Sequence, residues 1–442
     1  VSPALLRLDS AGRIAAVEAL PKEAATQYGP ILPGMPNLHS HAFQRLMAGL
    51  GNQVAAGGDP PPGGDSFWTW REQMYRLALR IQPEQLLAIA AWLQAEMLEH
   101  GYTSCAEFHY LHHQPDGRPY DDCAEMCVQL AAAAVQSGIA LTLLPVLYCR
   151  SGFDSRETNQ RQRRFRNGVD EYLELWHRCR DLVDGATLRQ VGIAPHSLRA
   201  VSPGQLSALL EACREVAQPI HIHIAEQLRE VEECRQVLGG RPVQWLLEKH
   251  PVDQRWCLVH ATHVDAAESV AMQRTGAVVG MCPSTEADLG DGYFGIEDWF
   301  SRGGNFGIGS DSNLRLCPAE ELRMLEFQAR LHSGRRNVLT ANGMSCGRSL
   351  FERALVGGFQ ALGQQTGQLA TGFHADLIEL DEDHIQLEGR RDDSQLDSWI
   401  LAGDRSMIRR VWVGGELRVV DGRHVARESL QAAYRKTIRA LL

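Results

Sequence analysis

Between residues 31 and 310, short apolar runs of β character alternate with longer stretches whose apolar positions recur at helical spacing. The runs fall at 31–38, 102–108, 139–147, 190–194, 219–224, 256–259, 277–281 and 305–309. About eight strands separated by helices is the count that closes a parallel barrel. Pro83-Glu84-Gln85 opens one helix, with Leu86, Ile89, Leu93 and Met97 in period and His100-Gly101 as its stop. Ser202-Pro203 begins another and turns Leu206, Leu209, Leu210 and Cys213 inward. Helices of this length between buried strands are what right-handed crossovers require.

The two ends read differently. Residues 5–17 form a hairpin pattern around Asp9-Ser10-Ala11-Gly12, and 375–380 and 411–419 give further strands with glycine turns. The predicted architecture is α/β: a (β/α)8 TIM-type barrel over residues 31–367 and a small β-sandwich domain from both termini, residues 1–30 and 368–425. A C-terminal helix over 426–442 completes it. The glycine- and proline-rich stretch 57–64 follows the first strand, where a barrel keeps its active-site lids.

Composition narrows the function. Hydrophobic residues at 44% and charged residues at 22% are ordinary for a soluble globular chain. A formal net charge of -10 argues against a nucleic-acid or acidic-membrane partner, because the long-range field repels a polyanion. The arginine-rich stretch 150–166, with Arg161, Arg163 and Arg164, lacks interleaved aromatics beyond Phe165 and reads as a solvated loop and helix face. Eleven cysteines at irregular spacing read as reduced thiols of a cytoplasmic enzyme, and no signal peptide is legible. The most apolar stretch, 130–148, is broken by Gln136, Ser137, Gly138 and Pro145, so it reads as helix, turn and strand rather than a membrane span.

Chemistry gathers at the ends of the β-like runs. His39 and His41 are two apart; alternate strand residues share a face at roughly 7 Å, so both rings reach one ion. His221-x-His223 with Glu226, then His260, then Ser310-Asp311 follow at equivalent places. Three neutral imidazoles and one carboxylate suit zinc, and iron also, with a position left open for water. The candidate ligands are His39, His41, His223 and Asp311. His221 lies one layer deeper and reads as a buried, hydrogen-bonded histidine. His260 is either a partner of the activated water or a fifth ligand. Water on such an ion titrates near pH 7, so Asp311 can take its proton and Glu226 can carry it to a leaving nitrogen; Glu226 can equally be a salt-bridge partner.

With these residues in place, the chain resembles the amidohydrolase superfamily in its mononuclear deaminase branch. The motifs are His39-x-His41, His223-x-x-Glu226, His260 and Ser310-Asp311; Pro195-His196 stands where binuclear members carry a bridging lysine, which implies one metal ion per subunit. Segments 33–44, 66–72, 106–110, 196–200 and 284–292 resemble branch members that act on N-formimidoyl-L-glutamate. The resemblance implies hydrolytic loss of ammonia from that substrate in histidine degradation, by a homodimer. It implies that Arg71, Tyr110, His196 and Arg199 hold the substrate carboxylates and that Gln44 contacts the formimidoyl group. A dianion approaching a protein of negative charge needs local cations, and bidentate arginines supply them. The alternative is a purine- or triazine-type deaminase of the same branch, which needs aromatic stacking instead; a barrel acting only as a scaffold is disfavoured because every ligand is present.

Overall fold

The computed structural model describes residues 4–20, 28–50, 66–154, 156–341 and 343–442. β1 (Ala4–Leu8) and β2 (Ile14–Ala19) form an antiparallel hairpin. Its turn is set by Asp9, whose Oδ1 accepts the N–H groups of Ala11 and Arg13 at 2.9 Å, and by Gly12 at φ 71°. β3 (Ile31–Pro33) follows, and then β4 (Met35–Ser40), β5 (Tyr102–His109), β6 (Ala140–Leu147), β7 (Arg189–Val191) and β8 (Ala194–Pro195). β9 (Ile220–Ile224), β10 (Trp256–His260), β11 (Val278–Met281) and β12 (Phe306–Ile308) complete the central series.

These strands run parallel in two sheets, one ordered β4-β5-β6-β7 with β8 against β6, the other β12-β11-β10-β9. Isolated parallel bridges join the sheets at both edges, Ser40 to Asp311 on one side and Ile193 to Ile220 and Ser197 to His223 on the other. Seven of the sequence-predicted runs thus recur in order as parallel strands, the first, 31–38, does so only from Met35 onward, and the chain has an α/β fold. β4, β5, β6, β9, β10, β11 and β12 are buried on both faces, which explains their near-continuous apolar character.

The crossover helices obey local signals. Helix Pro83–Glu99 starts where the Gln82 N–H donates to Gln85 Oε1 at 2.8 Å with proline in the first turn, and the chain leaves it through Gly101 at φ 96°. Helix Pro203–Ala212 has Ser202 as its cap, accepting from the Gln205 N–H while the Gln205 side chain accepts from the Ser202 N–H. Leu206, Leu209 and Cys213 are buried and Leu210 is half-buried. The apolar stretch 130–148 divides into helix Glu125–Ser137, Gly138 at φ 76° and β6. Among the described residues no helix is long and apolar enough to cross a membrane.

β13 (Leu377–Leu380), β14 (Ile408–Val413), β15 (Glu416–Val420) and β16 (Arg423–His424) form an antiparallel sheet in the order β16-β15-β14-β13-β3. The predicted run 31–38 is therefore split: β3 belongs to this sheet and β4 to the parallel one. The switch falls at Gly34, where a Cβ would lie 2.2 Å from the Thr103 side chain. Ile14 of the hairpin packs with Ala375 and Leu377, so both termini contribute to this small β unit. Helix Arg427–Leu441 lies on helix Pro83–Glu99, with the Tyr434 and Trp92 rings stacked at 6.0 Å.

The arginine-rich stretch departs from its sequence reading. Its described residues form turns rather than a helix; Arg161 is exposed as read, whereas Arg150 and Arg164 are buried. Arg164 donates to the carbonyls of Ile81 and His113 at 2.8 and 2.7 Å, and Arg150 to that of Leu198 at 3.0 Å. Loop carbonyls without ladder partners need donors, and a guanidinium satisfies several at once. All eleven cysteines are free. The expected lid at 57–64 lies outside the described residues.

At Gly309 an added Cβ would sit 2.8 Å from His39 Cβ and 2.9 Å from its carbonyl oxygen. Gly309→Ala is expected to push β12 from β4 and cost about 2 kcal/mol of stability, read as a lower urea midpoint; an unchanged midpoint contradicts this packing.

Candidate metal centre

The carboxyl ends of the parallel strands converge on one buried cluster. β4 brings His39 and, one residue past its end, His41; β9 brings His223; β10 ends on His260; Asp311 follows β12. His39 Nε2 lies 3.1 Å from His41 Nε2 and 2.9 Å from His223 Nε2. Asp311 Oδ1 is 3.3 Å from His41 Nε2 and 3.7 Å from His39 Nε2. His41 Nδ1 lies 2.7 Å from the Phe108 carbonyl and His223 Nδ1 3.1 Å from that of His196, so those nitrogens carry the protons and both Nε2 lone pairs face inward.

Burial, then the neighbouring histidines, holds His39 and His223 well below the usual imidazole range. Neutral nitrogens at this spacing repel unless a cation lies between them, so the donor set fits a divalent ion. His221 stands apart: its Nε2 meets the Ala361 carbonyl at 2.8 Å, and burial lowers its pKa to about 4.

Carboxylates surround the open side. His260 Nε2 is 3.8 Å from both Glu226 Oε1 and Asp311 Oδ2, while its Nδ1 sits 3.1 Å from Glu286 Oε1. Burial opposes charge on His260, yet Glu226, Glu286 and Asp311 hold its pKa up at about 10; a divalent cation among the same groups shifts that balance back toward the neutral ring. Burial raises the Glu226 pKa, against the pull of His260 and Arg199.

The turns that present these groups are strained. Ala225, His260, Ala261, Asp311 and Asn313 all have φ between 44° and 67°, a region non-glycine residues occupy only when their surroundings compel it. Those surroundings are visible. Glu230 accepts the N–H groups of Ala225 and Glu226 at 3.1 and 3.2 Å. Asn313 donates to the His41 carbonyl at 2.9 Å and accepts from Ser310 Oγ at 2.6 Å. Glu107 accepts the Ala42 N–H at 2.7 Å, and burial pushes its carboxyl up to about 7.

A cleft opens on this cluster. Gln44, Arg71, Tyr110, His196 and Arg199 all line it, together with aromatic side chains that include Phe67, Trp70, Tyr75 and Tyr148. Gln44 Nε2 donates to Tyr110 Oη at 2.8 Å, which leaves its buried Oε1 without a partner. Arg71 Nε, Arg199 Nε and Arg199 Nη1 are likewise buried and without hydrogen-bond partners among the described residues. Two guanidiniums thus face the cleft uncommitted, a costly arrangement unless an anion completes it.

The structure brings every sequence-predicted site residue to this cleft or its floor. Sequence reading gave no role to Glu286, Glu230, Asn313 or Tyr148. Glu286 lies within the segment 284–292 that carried the resemblance, so a signal was present. Ser284, at the same strand end, is engaged elsewhere: its N–H and Oγ both bond Glu321, at 2.9 and 2.6 Å.

The amidohydrolase family matches residues 31–418. The formimidoylglutamate deiminase of Pseudomonas aeruginosa is 51% identical over 415 residues, which span 94% of this chain and 90% of that protein. A crystal structure of an amidohydrolase from Brucella melitensis superposes with a TM-score of 0.93 at 43% identity, covering 99% of this chain and 96% of the other. An adenosine deaminase from Xanthomonas campestris with bound zinc shares the fold, with a TM-score of 0.82 at 22% identity over 100% of this chain and 94% of its own. The chain belongs to the amidohydrolase family, whose members depend on metal. Within that class it is a hydrolase acting on C–N bonds.

Removing one imidazole from the cluster tests the site directly. His39→Ala is expected to retain at least roughly tenfold less divalent metal after purification, measured by elemental analysis; unchanged metal content contradicts the assignment.

Proposed function

We propose that the chain hydrolyses N-formimidoyl-L-glutamate to N-formyl-L-glutamate and ammonia. The observation that carries this reading is the pair Arg71, half-buried, and Arg199, buried, lacking any ion-paired carboxylate among the described residues and opening on the same cleft as the histidine cluster. A substrate with two carboxylates and a C–N bond to break satisfies both halves of the cleft. The half-identical relative with that name supports the same choice.

In this reading His39, His41, His223 and Asp311 hold one zinc ion; iron fits the same ligands. The bound ion supplies a water acidified to near neutrality. Asp311 would accept a proton from a water activated in this way as the water oxygen adds to the formimidoyl carbon. Glu226, whose burial favours holding a proton, delivers one to the terminal nitrogen. The remaining proton of the water would pass to that nitrogen by the same Asp311 and Glu226 groups, so that ammonia leaves as the C–O double bond forms. His260, fixed by Glu286, stabilises the developing negative oxygen. Arg71, Arg199, Tyr110 and His196 hold the carboxylates, and the free Gln44 Oε1 accepts from the formimidoyl N–H.

We also read the two bridged parallel sheets as one closed (β/α)8 barrel over 31–367, with residues 1–30 and 368–425 as the small domain and 426–442 as its terminal helix. In the same reading the enzyme is a cytoplasmic homodimer of histidine degradation that acts on a small molecule and engages neither nucleic acid nor membrane.

Glu226→Gln is expected to lower kcat by about 100-fold or more with metal content unchanged; retained turnover contradicts its role in proton transfer. Arg199→Met removes a buried charge-assisted contact and is expected to cost about 2–5 kcal/mol in kcat/KM for N-formimidoyl-L-glutamate. No loss favours the purine- or triazine-type alternative, which the aromatic walls would serve.

A further inference from the structure

We infer that Trp68 is a positioning residue that holds Arg71 and Arg199 together as a receptor for two carboxylates. This rests on the proposed role of those arginines. Trp68 lies on helix Phe67–Ala78, three residues before Arg71 and therefore on the same helical face. The first turn of that helix is fixed by the Ser66 N–H, which donates to Thr69 Oγ1 at 2.9 Å.

One indole meets three guanidiniums that arrive from three segments of chain. Arg71 Cζ lies 4.5 Å from the Trp68 ring centroid, Arg229 Cζ 4.6 Å and Arg199 Cζ 5.9 Å. Arg229 is at the exposed rim and is tied to Glu233 at 2.7 Å. The inner two have no carboxylate partner among the described residues, and each carries a buried nitrogen without a hydrogen bond. Phe67 and Tyr75 also approach Arg71, at 5.9 and 5.6 Å, but among the described residues Trp68 is the ring whose face lies within 6 Å of both inner guanidiniums.

The choice of an aromatic partner has a physical consequence. Two like charges repel each other, and burial together with Arg199 depresses the Arg71 pKa. Glu230 and Glu226 favour the charged Arg199 without forming an ion pair with it; a directly paired carboxylate would have to be displaced by the incoming one. The electron-rich face of an indole attracts a guanidinium without occupying its N–H fork. Trp68 thus keeps both forks in place and unsatisfied until the substrate arrives, and binding costs less reorganisation.

The test compares Trp68→Leu with Trp68→Phe in the metal-loaded enzyme, using calorimetric titration with glutarate and steady-state kinetics on N-formimidoyl-L-glutamate. Trp68→Leu is expected to weaken glutarate binding and raise KM by about tenfold, with kcat within about threefold. Trp68→Phe, which keeps a π face, is expected to recover most of that loss. Unchanged glutarate affinity and KM in Trp68→Leu overturns the inference, as do equal losses in both variants with kcat falling alongside, the pattern of a packing defect. If the unsubstituted enzyme releases no ammonia from N-formimidoyl-L-glutamate, the substrate reading fails and the glutarate titration alone decides for Trp68. In that case a wild-type protein without glutarate affinity, or a Trp68→Leu titration that matches wild type, overturns the inference.

Discussion

Three buried imidazole nitrogens, with that of His39 3.1 Å from His41 and 2.9 Å from His223, repel unless something positive lies among them. Much of the surrounding structure holds them there. His41 and His223 are turned inward by backbone carbonyls of neighbouring strands. The loops beyond β9, β10 and β12 accept left-handed backbone at non-glycine residues, and Glu230 and Asn313 fasten those turns with hydrogen bonds. A close approach at Gly309 brings β12 against β4, so that Asp311 reaches the cluster. The strain at these turns is balanced by the packing of strands buried on both faces.

The cleft beside this cluster answers a second electrostatic problem. A chain with net charge -10 must bind a negatively charged substrate. It does so with cations that form no ion pair among the described residues, although Glu230 and Glu226 lie near enough to favour the charged Arg199. Arg71 and Arg199 sit among aromatic rings, while the carboxylates of Glu226, Glu286 and Asp311 gather around His260. Recognition and proton transfer thereby occupy adjacent parts of one pocket with opposite local charge.

The strand series was legible because each strand is an apolar run bounded by polar turns, and the ligands were legible because they sit where those runs end. The misplacements have local causes. Gly34 carries the chain from one sheet into another without interrupting the apolar pattern, so β3 and β4 read as one strand. The run 190–194 is split by Gly192, where a Cβ would meet Leu144 at 2.5 Å. Glu230, Glu286 and Asn313 act through contacts between segments, which leave no periodic trace. Arg150 and Arg164 read as solvated because a sequence does not reveal which loop carbonyls lack a donor.

The central claim is that one cleft combines a metal-assisted C–N hydrolase with a receptor for two carboxylates. Its most direct measurement is ammonia release by the metal-loaded, unsubstituted protein from N-formimidoyl-L-glutamate, with adenine and guanine compared at equal concentration. Release from the glutamate derivative, and none from the purines, is the predicted result. Release from a purine alone would keep the hydrolytic centre and contradict the account of Arg71 and Arg199.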